Sequence, residues 1–442
     1  MKTLNTWHTA LAIAVAALTL PASAAAPVAL TDTGAVATTT GDAALPTALG
    51  LAEFLALVQT HHPALRGMPL RQRMDEADVQ AAGTWANPSV HVARQPGERE
   101  WGIEQPVPVF GQPGLRREAA QLNAQTSSAT MRAELHATLH DAAQRFAELL
   151  AAQEKLHTQQ QGLRHLDEAL RVVQGQIALG ARSRYDGVRV QLQHAQMQAQ
   201  LAQQAAETQA ARAALAQLLG RPDWQPQALG HLQTWQDAAN HPSPALLNDT
   251  LPTMWQQAQQ QLPALQTARA KVAASEQYIA LQQREALPTP AVGVSRVRNR
   301  PDSTAYNVVS VSLELPLFDR KQGAITRAQL EHTQALMELE VAQQQAYLQL
   351  QQAAAQRQAL QQALQAYEQQ GMSQLETLRT MAQDAYRLGQ SSILEWLDAM
   401  ESLQSHALEH IDLRLKVWQA DAALAAARGQ LPLPLSLPQP VQ

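Results

Sequence analysis

The sequence predicts a mainly α-helical protein with a minor membrane-type β component. Two stretches of strict two-residue alternation are each followed by a proline-free helical run of unusual length. The same order of motifs occurs twice, about 200 residues apart. The first residues read as an export signal, which places the mature chain beyond the cytoplasm.

Residues 1–26 carry one positive charge (Lys2), an apolar run from Ala10 to Leu20, and the small-residue sequence Ala22-Ser23-Ala24. That pattern predicts a signal peptide cleaved after Ala24 or Ala26. Residues 27–46 are small and polar without periodicity and are expected to be a flexible lead-in. The chain has no cysteine, so neither a lipidated N-terminus nor a disulfide is expected. A formal charge of −5 without a basic tract argues against nucleic acid as a partner. Aromatics make up 4%, and abundant alanine and glutamine suit long exposed helices better than a compact core. No later stretch approaches 18 consecutive apolar residues, so no transmembrane helix is expected in the mature chain.

The first repeat is assigned to residues 47–235. Leu51, Phe54, Leu55 and Val58 recur at helical spacing, His62-Pro63 breaks the run, and a second helix is expected to reach Trp85. Residues 87–117 then read as strand, tight turn, strand, prolines and a helix start. From Gly114 to Ala178 there is no proline, and only Gly162 and Gly175 weaken the helical pattern. Such a helix would be about 100 Å long. The return helix, about Ser183–Leu219, shows Tyr185, Val188, Leu192, Ala195 and Ala199 along one seam. Trp224, Trp235 and Trp255 fall in the join between repeats and are expected to pack an equatorial collar.

The second repeat is assigned to residues 245–432, where Pro263-Ala264-Leu265 restates Pro63-Ala64-Leu65. Val292 and Val294 alternate with Gly293 and Ser295, and Arg298–Thr304 forms a polar turn. Val309, Val311, Leu313 and Leu315 continue the alternation up to Pro316, which cannot donate to a ladder. A helix from Gly323 to Arg387 and a return from Ser391 to Arg428 complete the copy. The return carries Ile393, Leu397, Met400, Ile411, Leu415 and Trp418 at helical spacing. Residues 433–442 are a proline-rich tail.

Each strand is expected to be about the 9–11 residues that cross a bilayer when tilted. Four strands cannot close a barrel, and open edges are not tolerated in lipid. Three chains would supply about 12 strands, within the range of membrane barrels. The strands alone are equally compatible with a small soluble β-layer capping the helices, since the first pair, with His91, Arg94 and Glu104, is weakly apolar.

The duplication, the strand ends VPVFGQPGLRR and ELPLFDRKQGAI, and the hairpin tips ALGARSRYDGVRVQ and YRLGQSSILEWLDA resemble the TolC-like outer-membrane efflux channels. The resemblance covers about Gly50 to Gly429 and is closest to the heavy-metal (cobalt-zinc-cadmium) branch. It implies long α-helical hairpins forming a periplasmic barrel, and a trimeric 12-stranded outer-membrane β-barrel to which each chain gives four strands. It also implies a homotrimer in outer-membrane lipid, working with a periplasmic adaptor and an inner-membrane pump of the RND type, without catalysis or cofactor. Adaptor docking is implied at Leu179, Gly180 and Ser183 and at Leu388, Gly389 and Ser391. A closed entrance is implied to rest on a polar link, Asp186 with Tyr386, and on an acidic constriction, Glu395 and Asp398. Where relatives often place a basic residue in the link, this chain has Ser391. Multidrug efflux or a protein-secretion duct would use the same fold, and a periplasmic coiled-coil adaptor or rod is the rival of a different class.

Glu395 and Asp398 lie three apart on one helix face, and threefold repetition would stack them as cation-selecting rings. His136 and His140 have the i, i+4 spacing of a helical metal pair, but no carboxylate lies between them and no cysteine is available. His61-His62 before Pro63 reads as a helix end. Met372, Met381 and Met400 are too widely spaced in sequence to read as a thioether cluster. The chain holds no phosphate loop, nucleophile elbow or catalytic constellation, and no enzymatic activity is expected.

Overall fold

The structure is a computed structural model that describes residues 45–180, 182–232, 250–299, 304–388 and 390–431. Residues 1–26, expected to be a signal peptide, most of the expected lead-in, Trp235, Gly389 and the C-terminal residues from 432 on lie outside the described residues.

Three short helices open the body: α1 (Leu51–His61), α2 (Pro63–Arg66) and α3 (Met68–Ala82). His62 caps α1, as its place before Pro63 requires, and α3 stops three residues short of Trp85. Strands β2 (Ser89–Gln95) and β3 (Glu98–Pro106) follow, then helix α4 (Gln112–Ala178) and its return α5 (Arg184–Leu218). The second half runs α6 (Leu251–Gln261), α7 (Pro263–Glu285), β5 (Ala291–Asn299), β6 (Ala305–Ser312), α8 (Gln322–Ala366), a π-helical segment (Tyr367–Met372), α9 (Ser373–Arg387) and α10 (Ile393–Ala427). A two-residue parallel ladder, β1 (Ala48–Leu49) with β4 (Gln227–Ala228), ties the start of the body to the end of the first half; no periodicity that short is legible in sequence.

Both long helices start with the same device. Gly111 (φ 75°) and Lys321 (φ 54°) turn the chain in the left-handed region. The next residue, Gln112 or Gln322, accepts a hydrogen bond from the N–H two positions earlier, Phe110 at 3.2 Å and Arg320 at 2.8 Å. These first turns start slightly before Gly114 and Gly323, the residues at which the sequence places them. Gly162 does not break α4, because its missing side chain lets α10 approach: a Cβ there would lie 2.7 Å from Gln404 Oε1.

The four strands form one antiparallel sheet in the order β2-β3-β5-β6. They are 7, 9, 9 and 8 residues long: β3 and β5 meet the expected length, and β2 and β6 fall short of it. β6 leaves the ladder after Ser312, three residues before Leu315, because its partner β5 begins only at Ala291, behind Pro290. The register resolves the ambiguous first pair. Val90, Ile103, Val294 and Val309 align across all four strands on one face, flanked by Val92 and Trp101. His91, Gly102 and Ser295 align on the other. The apolar face is exposed, with Val92 at 80% and Val311 at 73%, whereas Ser295 and Val297 on the opposite face are buried. The outer edges of β2 and β6 have no strand partner among the described residues.

Below the sheet α3, α4, α7 and α8 lie side by side, joined by Arg71–Glu134 (2.7 Å), Arg116–Glu285 (2.6 Å) and Lys271–Glu338 (2.5 Å). Midway, Phe54 stacks on Phe146 and Trp224 at 5.6 and 6.4 Å. Trp255 meets the edge of Tyr347 at 5.3 Å in a separate cluster around Leu265 and Leu350. Trp224 and Trp255 therefore serve two cores, one per half. Arg357 on α8 and Asp421 on α10 form a nearly buried ion pair at 2.5 Å. Among the described residues no helix is long and apolar enough to cross a membrane.

Candidate functional site

At the end of the body away from the sheet, the tips of the two hairpins come together over one apolar cluster. Leu166 and Val173 of α4, Val190 and Met197 of α5, and Ile393, Trp396 and Leu397 of α10 form its buried core. Tyr386 of α9 packs against them, 5.8 Å from the Trp396 ring. The helices can close here because α5 carries Gly187, where a Cβ would stand 2.7 Å from Ile177 Cδ1.

Each tip carries a serine cap, and the first also a left-handed turn. In the first, α4 ends at Leu179, which is 86% exposed, Gly180 turns the chain (φ 72°), and the Ser183 hydroxyl accepts from the Tyr185 N–H at 3.0 Å. In the second, Leu388 is 71% exposed and the cap is Ser392, not Ser391. Glu395 completes a capping box there: the Ser392 N–H donates to its carboxylate at 2.8 Å, and its own N–H donates to the Ser392 hydroxyl at 3.2 Å. The Ser391 hydroxyl is buried with no hydrogen-bond partner among the described residues, while its N–H bonds the Ala385 carbonyl at 3.2 Å. Gly389 lies outside the described residues. The paired leucines are the prominent apolar side chains at each point.

Of the four residues expected at the entrance, the structure brings two together and gives the other two different surroundings. Asp186 stands in the first turn of α5 and Tyr386 in the last of α9, close enough that the carboxylate raises the phenol's pKa. Burial is the larger cause of that rise, and Arg182 partly offsets it. The Tyr386 hydroxyl is buried without a hydrogen-bond partner among the described residues, so Asp186 and Tyr386 are neighbours and not a bonded pair here. The Arg182 guanidinium lies 5.5 Å above the Tyr386 ring, a cation–π geometry. Sequence reasoning missed Arg182; its place next to the Ser183 cap was the available signal. Arg182 comes from the hairpin opposite Ser391. Glu395 is spent on its own helix end, whereas Asp398, on the same face, is exposed and makes no hydrogen bond or ion pair with a described residue.

The other candidate ligands separate clearly. The rings of His136 and His140 are 4.8 Å apart, and the His140 Nε2–H donates to the Gln430 carbonyl at 2.8 Å. Burial lowers both pKa values, that of His140 to about 4. Backbone carbonyls of Gly429 and Gln430 engage the pair, which therefore pins the end of α10 to α4. Met372 and Met400, remote in sequence, do meet: with Met197 they line a groove of about 360 Å³ beside Trp396. Met381 lines a neighbouring one. Among the described residues no group of three or more His, Asp or Glu could hold a metal ion.

Comparison with known proteins places this architecture. The chain is 24% identical over 227 residues to the cobalt-zinc-cadmium resistance protein CzcC of Cupriavidus metallidurans, covering 50% of this chain and 51% of that one. It is 27% identical over 328 residues to the protein CyaE of Bordetella pertussis, covering 66% and 65%. The match therefore spans less than two thirds of each of these relatives. Crystal structures of CusC, described in terms of folding and transmembrane channel formation, superpose with a TM-score of 0.71 at 20% identity over 86% of this chain and 92% of that one. The profile of the family described as Outer membrane efflux protein matches twice, at residues 55–221 and 254–430. With both hairpins and most of the chain inside those two matches, the chain belongs to the outer membrane efflux protein family.

Proposed function

We propose that this chain is the outer-membrane exit duct of a tripartite efflux system, passing substrates from an inner-membrane RND-type pump and a periplasmic adaptor to the exterior. The observation that carries this reading is the sheet: one exposed apolar face, one polar face, and two unpaired edges, set on top of two long helical hairpins. In lipid those edges must be satisfied, and three copies joined edge to edge give a closed barrel of about 12 strands. The helices would then form a tunnel across the periplasm. The exposed Leu179 and Leu388 tips would meet the adaptor, with Gly180, Ser183, Gly389 and Ser391 shaping the turns. Asp186, Tyr386 and Arg182 would hold the entrance closed, and Asp398, seconded by Glu395, would line it with negative charge.

Heavy-metal cations are the proposed cargo. The family resemblance, the similarity to CzcC and the acidic tip agree with that choice, and so does the polar face of the sheet, where Glu98, Glu100 and Glu104 alternate with outward residues. A deletion strain should lose tolerance to cobalt, zinc or cadmium and regain it with the intact gene; sensitivity to hydrophobic drugs alone would discard the metal cargo. In single-channel recordings Asp398→Asn should reduce cation over anion selectivity without altering stability. Unchanged selectivity would remove Asp398 from the lining.

A further inference from the structure

The register of the sheet brings three arginines into one row. Arg94 on β2 stands directly opposite Arg99 on β3, and Arg99 stands opposite Arg298 on β5. Arg296, two residues before Arg298, shares their face and lies opposite Trp101. All four are exposed, and none makes an ion pair or side-chain hydrogen bond with a described residue. Like charges placed directly opposite on a sheet repel and destabilise it. The carboxylates that could relieve them are close in sequence, but Glu98 and Glu100 alternate onto the opposite face, where Glu100 sits 3.8 Å from His91. The strands thus sort charge by face: acids inward, arginines outward.

The position of the row is as informative as its charge. It lies at the turn end of the sheet, remote from the helices, immediately beyond Val92 and Trp101 and then the Val90–Ile103–Val294–Val309 row. An exposed apolar band is therefore rimmed by a cationic row that no carboxylate among the described residues neutralises, with a tryptophan at the boundary. Trp at such a boundary is favoured where an apolar layer meets water. Strands about 4.8 Å apart spread the three guanidinium groups over roughly 10 Å, the scale of a headgroup with more than one phosphate. Guanidinium binds phosphate in paired hydrogen bonds.

We propose that the Arg94–Arg99–Arg298 row binds the phosphate groups of a phosphorylated membrane lipid whose acyl chains lie along the valine band. The site rests on the reading of this sheet as membrane-spanning, and its turn end then faces the outer leaflet. The lipid supplies the countercharge that the described residues do not, so occupancy relieves repulsion as well as adding contacts.

The test uses the full-length protein reconstituted in phosphatidylcholine vesicles with or without diphosphorylated lipid A. Insertion is read by resistance to carbonate extraction, and bound lipid by native mass spectrometry. The wild type should retain lipid A and gain thermal stability from it, while dephosphorylated lipid A should do neither. The variant R94Q/R99Q/R298Q should insert normally and retain lipid A at least tenfold less, up to roughly 100-fold. In pure phosphatidylcholine its melting temperature should equal or exceed that of the wild type, since the repulsion is gone. Should the triple variant not fold, R298Q alone should show a smaller loss and R94K/R99K/R298K should keep most of the retention. Equal retention by an inserted wild type and an inserted variant would overturn the site and leave the membrane reading standing. A wild-type chain that never resists extraction would overturn both.

Discussion

The two halves of the chain build the same parts, yet their long helices differ at one place. In the first half α4 runs 67 residues without interruption, with buried side chains from Gln112 to Val173. In the second half the equivalent course is α8 of 45 residues, a π-helical segment of 6 and α9 of 15. At corresponding positions, about 209 residues apart, the first hairpin holds buried Gln159 and Met197, and the second holds Glu368 and His406. There the Tyr367 hydroxyl bonds His406 Nδ1 at 2.9 Å and the His406 carbonyl at 3.1 Å, and His410 bonds Glu368 at 3.0 Å. Beyond the segment α9 has no buried side chain among those described. A π-turn held by side-chain bonds, followed by a helix that touches the core only near its end, through Ala382 and Tyr386, marks a place where the second hairpin can bend more readily than the first. A duplicated pattern therefore yields one rigid hairpin and one hinged one.

The sharpest way to test the inequality of the halves is at their ends. Gly220 and Gly429 follow the two return helices with φ of 65° and 75°. A Cβ at Gly220 would meet only Pro63 Cγ, at 3.9 Å, but one at Gly429 would lie 2.8 Å from the Gln261 carbonyl carbon. Gly220→Ala should therefore cost only the left-handed strain, about 1–2 kcal/mol. Gly429→Ala should cost about 3–4 kcal/mol, because backbone must also move. Equal losses in chemical denaturation would mean that the two ends are held alike.

Acid should act on the rigid side. His140 on α4 is protonated near pH 4 when folded, against an ordinary value of 6.5. Between those values the unfolded chain binds more protons, so stability falls as pH drops through the window. The loss should reach about 3 kcal/mol at pH 4. His140→Leu should flatten that slope; an unchanged slope would assign it to other groups. The hinge should respond least in stability and most in motion. Tyr367→Phe should cost about 1 kcal/mol and speed amide exchange along 373–387, leaving 112–178 unchanged. If exchange stays uniform in both hairpins, the π-segment is no hinge.

Much of the fold was legible because its signals are local and repeated. The proline-free runs, the His62-Pro63 break and the alternation of β5 all depend on near neighbours. Strand ends were less legible, since where β6 stops depends on where Pro290 lets β5 begin. The π-segment was missed because Tyr367–Met372 reads as ordinary helix, and its bonding partners lie about 40 residues away. At the tips the serine caps and exposed leucines sit in readable motifs. Arg182 over Tyr386, and Met197 beside Met372 and Met400, depend on two hairpins meeting.

Sequence by itself determined which segments are helix or strand and their order, because period and propensity act within one element. Only the tertiary structure decided which face of each strand turns outward, which serine caps a helix and which distant side chains share a groove. Those outcomes are set by register and by helix contact, and both join residues that the linear chain keeps far apart.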